Sequence, residues 1–273
     1  MQFSLNWCFS TLGCPLDSLE EAASLAQKHG IKALEIRALE DRVDLPAYFE
    51  EKFGHAQAVR DVAANHGCQI VALDPSAKLV GLTDAHRQEL TEIAPWADQL
   101  GVRYLRVFDG GKPSPQLSDE DLKAAAETLE WWRGLQQQHG WKVELMIETH
   151  DCLCSLAAIE RLQASLPHPA NILWDAHHTW RKQGEDPFKM WPRIKDHVVH
   201  VHFKDSIGKP SARHPFTYVH LGEGEFPVIP FLEMLEKDQF QGAVSLEWEK
   251  KWHPYLPPLD EALDVFEQLR AQA

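Results

Sequence analysis

The stretch HVVHVHFKD (197–205) has the alternation of a β-strand without the chemistry of an ordinary one. Successive side chains on a strand point to opposite faces. Val199, Val201 and Phe203 therefore share one face, and His200, His202 and Lys204 share the other. A half-buried strand would turn such a polar face to water. What flanks this stretch gives a different expectation: the polar face looks into the centre of a barrel.

Working outward, six strand signals precede it, at 3–9, 32–37, 69–74, 103–109, 142–150 and 171–175, and one follows, at 242–249. Helical patterns separate them, at 15–30, 49–67, 85–101, 118–140, 156–166, 187–195 and 228–239, with a last one at 259–273. Ser18 or Asp17 is placed to cap the first helix, Ser118 with Asp121 resembles a capping box, and Gly30, Gly67 and Gly101 stand where helices end. Eight strands, each followed by a helix, predict an α/β protein: a single (β/α)8 TIM barrel, one domain over 1–273. No low-complexity segment or linker interrupts it.

Composition narrows the function. The chain has 273 residues and a net charge of −14. Phosphate backbones and anionic membranes repel such a chain unless a basic patch intervenes, and no Lys/Arg cluster of that size is present. Nucleic acid and membrane are therefore not expected as partners. The five cysteines are odd in number and form no CxxC pair, which predicts free thiols in a reducing compartment. The opening MQFSLNWCFSTLGCP has neither a basic n-region nor a long apolar core, and no stretch nears the roughly 20 apolar residues of a membrane span. A cytoplasmic location is expected.

In a (β/α)8 barrel the active site lies at the C-terminal ends of the strands. KVELMIETH places Glu144, Met146 and Glu148 on the inner face, with Glu148 at the mouth. The sixth strand ends at Asp175, the seventh at His202 and Lys204, and the eighth turns Glu247 inward. Three carboxylates and an imidazole at one level are costly without a cation. Glu148, Asp175, His202 and Glu247 are thus the expected ligands of one divalent metal, manganese being favoured among manganese, cobalt, magnesium, zinc and iron. Each residue alone has a plainer role: Asp175 as a helix cap, His202 as a satisfied core histidine, and the glutamates as partners of Lys204 and Arg37.

The motifs FSTLGCP, ALEIR, IETHD, WDAHH, HVHFKD, LGEGEF and SLEWEKKWHP, in this order, resemble the xylose isomerase-like TIM barrel superfamily, in its sugar phosphate isomerase/epimerase branch. The resemblance implies the same four ligands. It also implies that His178, the histidine of DxxH, stands behind the metal or touches substrate; the spacing selects it over His177. Apurinic endonucleases share the barrel but hold three zinc ions. Their added histidines are absent from ALDPS and RVFDGG, and their Asp-x-His is absent from FTYVHLGEG, so DNA repair is not expected.

The resemblance implies proton transfer next to a carbonyl through a metal-stabilised enediolate, with Glu148 and Glu247 as the catalytic acid–base pair. Lys204, His150, Arg37, Glu223, His178 and Trp252 are the expected substrate contacts, and Trp7 and Trp248 are candidates for an apolar wall. No phosphate-binding glycine loop appears, which points to an unphosphorylated keto-sugar or cyclitol. The expected activity is a metal-dependent sugar isomerase or epimerase. The alternative is a lyase or dehydratase acting on a keto-sugar, inosose or 3-keto-glycoside at the same site, and the remaining one is a non-catalytic sugar-binding barrel. A homodimer or homotetramer fits the family.

Overall fold

The computed structural model describes residues 3–272. Eight parallel strands close a barrel: β1 (Asn6–Ser10), β2 (Ala33–Ile36), β3 (Gln69–Leu73), β5 (Tyr104–Gly110), β6 (Glu144–Glu148), β7 (Asn171–Asp175), β8 (Val198–Phe203) and β11 (Ala243–Leu246). Each pairs with the next, β3 pairs with β5, and β11 returns to β1 through Asn6↔Ala243 to Phe9↔Leu246. A short strand, β4 (Lys78–Val80), extends the rim beside β5. The antiparallel hairpin of β9 (Asp205–Ile207) and β10 (Thr217–Val219) rises past β8.

Among the described residues ten helices surround the barrel: α1 (Leu19–Lys28), α2 (Leu45–Phe53), α3 (Ala56–Asn65), α4 (Asp84–Leu100), α5 (Asp119–His139), α6 (Leu156–Ser165), α7 (Ala176–Gln183), α8 (Pro187–Ile194), α9 (Val228–Lys237) and α10 (Leu259–Gln272). Among the described residues no helix is long and apolar enough to cross a membrane. Ser18 closes a full capping box with Glu21, and the Ser118 hydroxyl accepts the Asp121 N–H. The fold is the expected (β/α)8 barrel.

Four local differences have physical causes. The helix expected over 49–67 breaks at Gly54, whose φ of 69° ends α2, and His55 caps α3. The segment after Asp175 is a helix, α7, although its sequence AHHTWRKQ has no apolar stripe. The rim strand β4 and the β9–β10 hairpin were not expected, because each strand is three residues long. The last helix follows the expectation as far as Gln272; Ala273 lies outside the described residues. Finally, Val199 does not share the outer face. The β7–β8 register slips between Ile172↔Val198 and Leu173↔His200, a bulge that leaves Val199 packed on Ala72, Met146 and Leu173 inside the barrel. Val201 and Phe203 keep the outer face, in the main core between sheet and helices.

Candidate metal centre

The strand register sets four polar side chains at one height. Asp175 pairs with His202, and His202 pairs with Ser245, two residues before Glu247 on the same face. Glu148 ends β6 beside Leu173. Glu148, Asp175, His202 and Glu247 are all buried, and each offers a ligand atom within 4.8 Å of the others. Parallel strands closing on themselves bring these residues together across 99 positions of sequence, from 148 to 247.

Each side chain uses only part of its bonding capacity elsewhere. Asp175 Oδ1 accepts the His178 N–H at 2.7 Å and caps α7, while Oδ2 faces the cluster. Cap and cluster member are therefore one residue. His202 donates its Nε2–H to Glu35 at 2.8 Å, which leaves Nδ1 turned toward Glu247 at 3.4 Å. Among the described residues, Glu148 Oε2, Asp175 Oδ2 and His202 Nδ1 are buried with no hydrogen-bond partner. Buried polar atoms are rarely left so. Two of these atoms face cations of the chain, Asp175 Oδ2 at 2.8 Å from Lys204 Nζ and Glu148 Oε2 at 3.4 Å from Arg106 Nη1, yet the cluster of carboxylate oxygens and one imidazole nitrogen has the donor set of a divalent cation. An imidazole backed by a carboxylate is the usual way such a ligand is oriented.

The surroundings hold the carboxylates ionised. Burial alone would raise the Asp175 carboxyl, but His178 and Lys204 bring it well below the usual range. Glu247 is likewise lowered, against its burial, by Lys204 and His202. Lys204 Nζ lies 2.8 Å from Asp175 and 2.7 Å from Glu249 and also contacts Glu247. Burial opposes its charge, yet these three carboxylates raise it well above the ordinary lysine value. With no cation present, Glu35 and Glu247 raise His202 in the same way against burial, so a metal bound through Nδ1 would displace the proton held there.

A family model for xylose isomerase-like TIM barrels matches residues 23–271. The chain belongs to that family. No curated protein sequence matches it. Among solved structures it is similar to the probable 3-DHS dehydratase AsbF from Bacillus anthracis, at 17% identity and a TM-score of 0.79 over 98% of this chain and 99% of that one. It is also similar to the IolI protein with a bound zinc atom, at 18% identity and a TM-score of 0.74, over 98% and 97% of the two chains. A third is the 3-keto-D-glucoside 4-epimerase YcjR from E. coli, at 16% identity and a TM-score of 0.73, over 98% and 100%. At these identities the likeness speaks for the fold.

Around this xylose isomerase-like centre the other expected residues scatter. His178 joins it: Nδ1 is 3.0 Å from Asp175 and 3.8 Å from Glu148, and Nε2 is 3.8 Å from Glu249. His177 points away, 2.7 Å from Ser206 Oγ, among Phe216, Tyr218 and Trp180. His150 stands edge-on to His178, with ring centres 4.8 Å apart, and its Nδ1 lies 3.1 Å from Asp151. Arg37 is buried, donates to Ser76 at 3.1 Å and leaves Nη1 unpaired; burial and the nearby Arg106 lower it to about 10. It does not pair with Glu35, which the two histidines of HVHF occupy. Lys204 pairs with neither Glu148 nor Asp205; Asp205 instead accepts the N–H groups of Ser206, Gly222, Gly224 and Phe226. Trp252 lies at the rim, within cation–π distance of Lys251 and Arg213. Glu223 is exposed on the tethered loop, outside the cluster. Trp7 is at the wrong end for a wall: it packs edge-on against Phe266 beneath the barrel.

Five residues of the centre were not singled out from sequence. Glu35 lies under His202. Arg106, on β5, reaches Glu148 at 3.4 Å and Asp74 at 3.9 Å, and it stacks 3.8 Å over Phe108. Burial and then Glu35 raise the Asp74 carboxyl well above the usual range, which favours its neutral form. Glu249 accepts from Lys204 and from the Tyr218 hydroxyl at 2.8 Å. Arg106 and Glu249 had a readable signal: a charged residue inside RYLRVFD, and a second glutamate two places after Glu247. Tyr218 had none, because the hairpin alone brings it over the mouth.

Proposed function

We propose that this protein is a divalent-metal-dependent isomerase or epimerase of a keto-sugar or cyclitol. The observation that carries this is the convergence of four buried ligand groups, each with a donor atom within 4.8 Å of the others, at the mouth of the barrel. Glu148, Asp175, His202 through Nδ1 and Glu247 would hold the metal, with manganese favoured. Bound there, it would supply Lewis acidity to a substrate carbonyl and its neighbouring hydroxyl.

The chain's own groups do the rest. An ionised carboxylate is the base the reaction needs, and Lys204 keeps Glu247 in that form. One of Glu148 and Glu247 takes the proton from the carbon beside the carbonyl. The other returns a proton, to the same carbon from the opposite face or to its neighbour. Lys204 and His178 present N–H groups to substrate oxygens. His150 and Trp252 line the approach, and Arg37 and Arg106 fix Glu148 and the floor from below. Similarity to an epimerase and to the zinc-bound IolI protein supports this reading through the shared fold.

A second reading, dehydration or β-elimination, starts from the same proton abstraction. What favours it is His178, poised between Glu148 and Glu249 as a donor to a leaving oxygen. Incubating the manganese-loaded protein with ketoses, inososes and 3-keto-glycosides in deuterated water, followed by proton NMR, separates the two. Exchange at one carbon with a new isomer supports isomerisation. Loss of water or an aglycone moves the protein to the lyase reading. No exchange and no metal retention would overturn both.

A further inference from the structure

The closed lower end of the barrel carries a second set of ligand groups. His29 caps the C-terminus of α1 and is almost fully buried, its side chain 1% exposed. It donates Nε2–H to Asp260 Oδ1 at 2.7 Å, so the lone pair sits on Nδ1. Nδ1 has no hydrogen-bond partner among the described residues. It faces Glu267 Oε2 at 3.4 Å and Asp264 Oδ1 at 3.9 Å, both on α10. A lone pair held against two carboxylates is repulsive unless a cation lies between them.

We propose that His29, Asp264 and Glu267 form a second divalent-metal site, fitted to zinc. The separations favour a metal over a shared proton. An N–H···O bond needs about 2.7–3.2 Å. Tetrahedral zinc with bonds of about 2.0–2.1 Å sets its ligand atoms roughly 3.3 Å apart, close to the 3.4 Å between His29 and Glu267. The three donor atoms lie within 4.8 Å of one another. Asp260 behind Nε2 supplies the orienting carboxylate that metal-bound histidines use.

Nearby cations are engaged elsewhere. Lys28 is held on Asp260 at 2.7 Å, and Arg270 donates to the His29 carbonyl at 3.0 Å while stacking over Phe266. Among the described residues Asp264 and Glu267 make no ion pair with lysine or arginine, and more than half of each side chain is exposed, so water completes the fourth position. Glu267 also lines a cavity of about 1090 Å³ beneath the barrel, a route for the ion. Zinc here would clip the first helix to the last and leave the chemistry at the mouth untouched.

The test is a zinc titration against a chromophoric chelator. Glu148→Gln/Glu247→Gln, which disables the upper centre, is expected to retain one tight equivalent. Adding Asp264→Asn and Glu267→Gln should weaken that equivalent at least 100-fold and abolish the zinc-induced rise in Tm. Both added positions are exposed, so the metal-free Tm should hold and show that the fold is intact. The proposal is overturned if the first variant binds no zinc, or if the fourfold variant binds it as tightly. If wild type and Glu148→Gln/Glu247→Gln each bind one equivalent, the lower site stands and the metal reading of the upper centre fails.

Discussion

Glu35 offers the most direct check on how the upper centre is built. Its carboxylate lies between two buried imidazoles, 2.9 Å from His200 Nε2 and 2.8 Å from His202 Nε2. Two substitutions should separate its charge from its hydrogen bonds. Glu35→Gln keeps the shape: the amide oxygen still accepts from His202, and the amide NH2 can donate to His200 in its other tautomer. Only the negative charge behind His202 is lost, so metal affinity should fall about tenfold, or ~1.4 kcal/mol. Glu35→Leu removes both acceptors and strands two buried N–H groups at about 1–3 kcal/mol each. It should weaken metal binding about 100-fold or more and lower the unfolding free energy by about 2–6 kcal/mol. Competition with a fluorescent chelator gives the affinities, and urea titration of the metal-free protein gives the stabilities. Wild-type metal affinity in Glu35→Leu would refute the assignment of Nδ1 as the ligand atom of His202, and with it the order metal, His202, Glu35.

Four further outcomes are expected. Glu148→Gln and Glu247→Gln should each cut turnover by about 10²–10⁴-fold, the range for a lost acid–base group, in a steady-state assay at saturating metal. Asp205→Ala frees four backbone N–H groups of the 205–226 segment; it should cost about 3–5 kcal/mol in urea unfolding, and Gly224→Ala should mimic it, because its Cβ would meet Asp205 Oδ1 at 2.0 Å. Burial lowers His214 to about 4, so its neutral form stabilises the fold above pH 6.5 and that contribution is lost as pH falls toward 4; His214→Phe should flatten the acid side of a Tm-versus-pH curve. All five cysteines are buried, and burial raises Cys68 to about 11; a thiol reagent at pH 8 should titrate none in the native protein and five in urea.

The barrel was legible because each strand carries apolar residues on the face that meets the helices, and glycines punctuate the returns. Gly54 was not legible as a break, since FEEKFGHAQ keeps its helical character through it. Nor was α7, which rests on the Asp175 cap and buries histidines rather than leucines. In the centre, Glu148, Asp175, His202 and Glu247 stood out as strand-ending polar groups at one level. Glu35 did not, because its height inside the barrel depends on inter-strand register, which no single strand encodes. The bulge at Val199 shows the limit: one inserted residue changes which side chain faces inward, and simple alternation cannot see it.

The seam between β1 and β11 carries a consequence for synthesis. Asn6 and Ala243 are neighbours in the sheet but 237 residues apart in the chain. At about 5–20 residues per second, the first strand waits roughly 12–50 s on the ribosome before its partner exists. Throughout that interval its NWCFS backbone is an open edge, able to pair with any other nascent chain. The last strand thus does more than complete the ring: it ends the period in which the molecule is most prone to aggregate. A released chain truncated before residue 243 should be a better chaperone client than a released chain that includes β11, and refolding the two lengths with a chaperone present would display the difference.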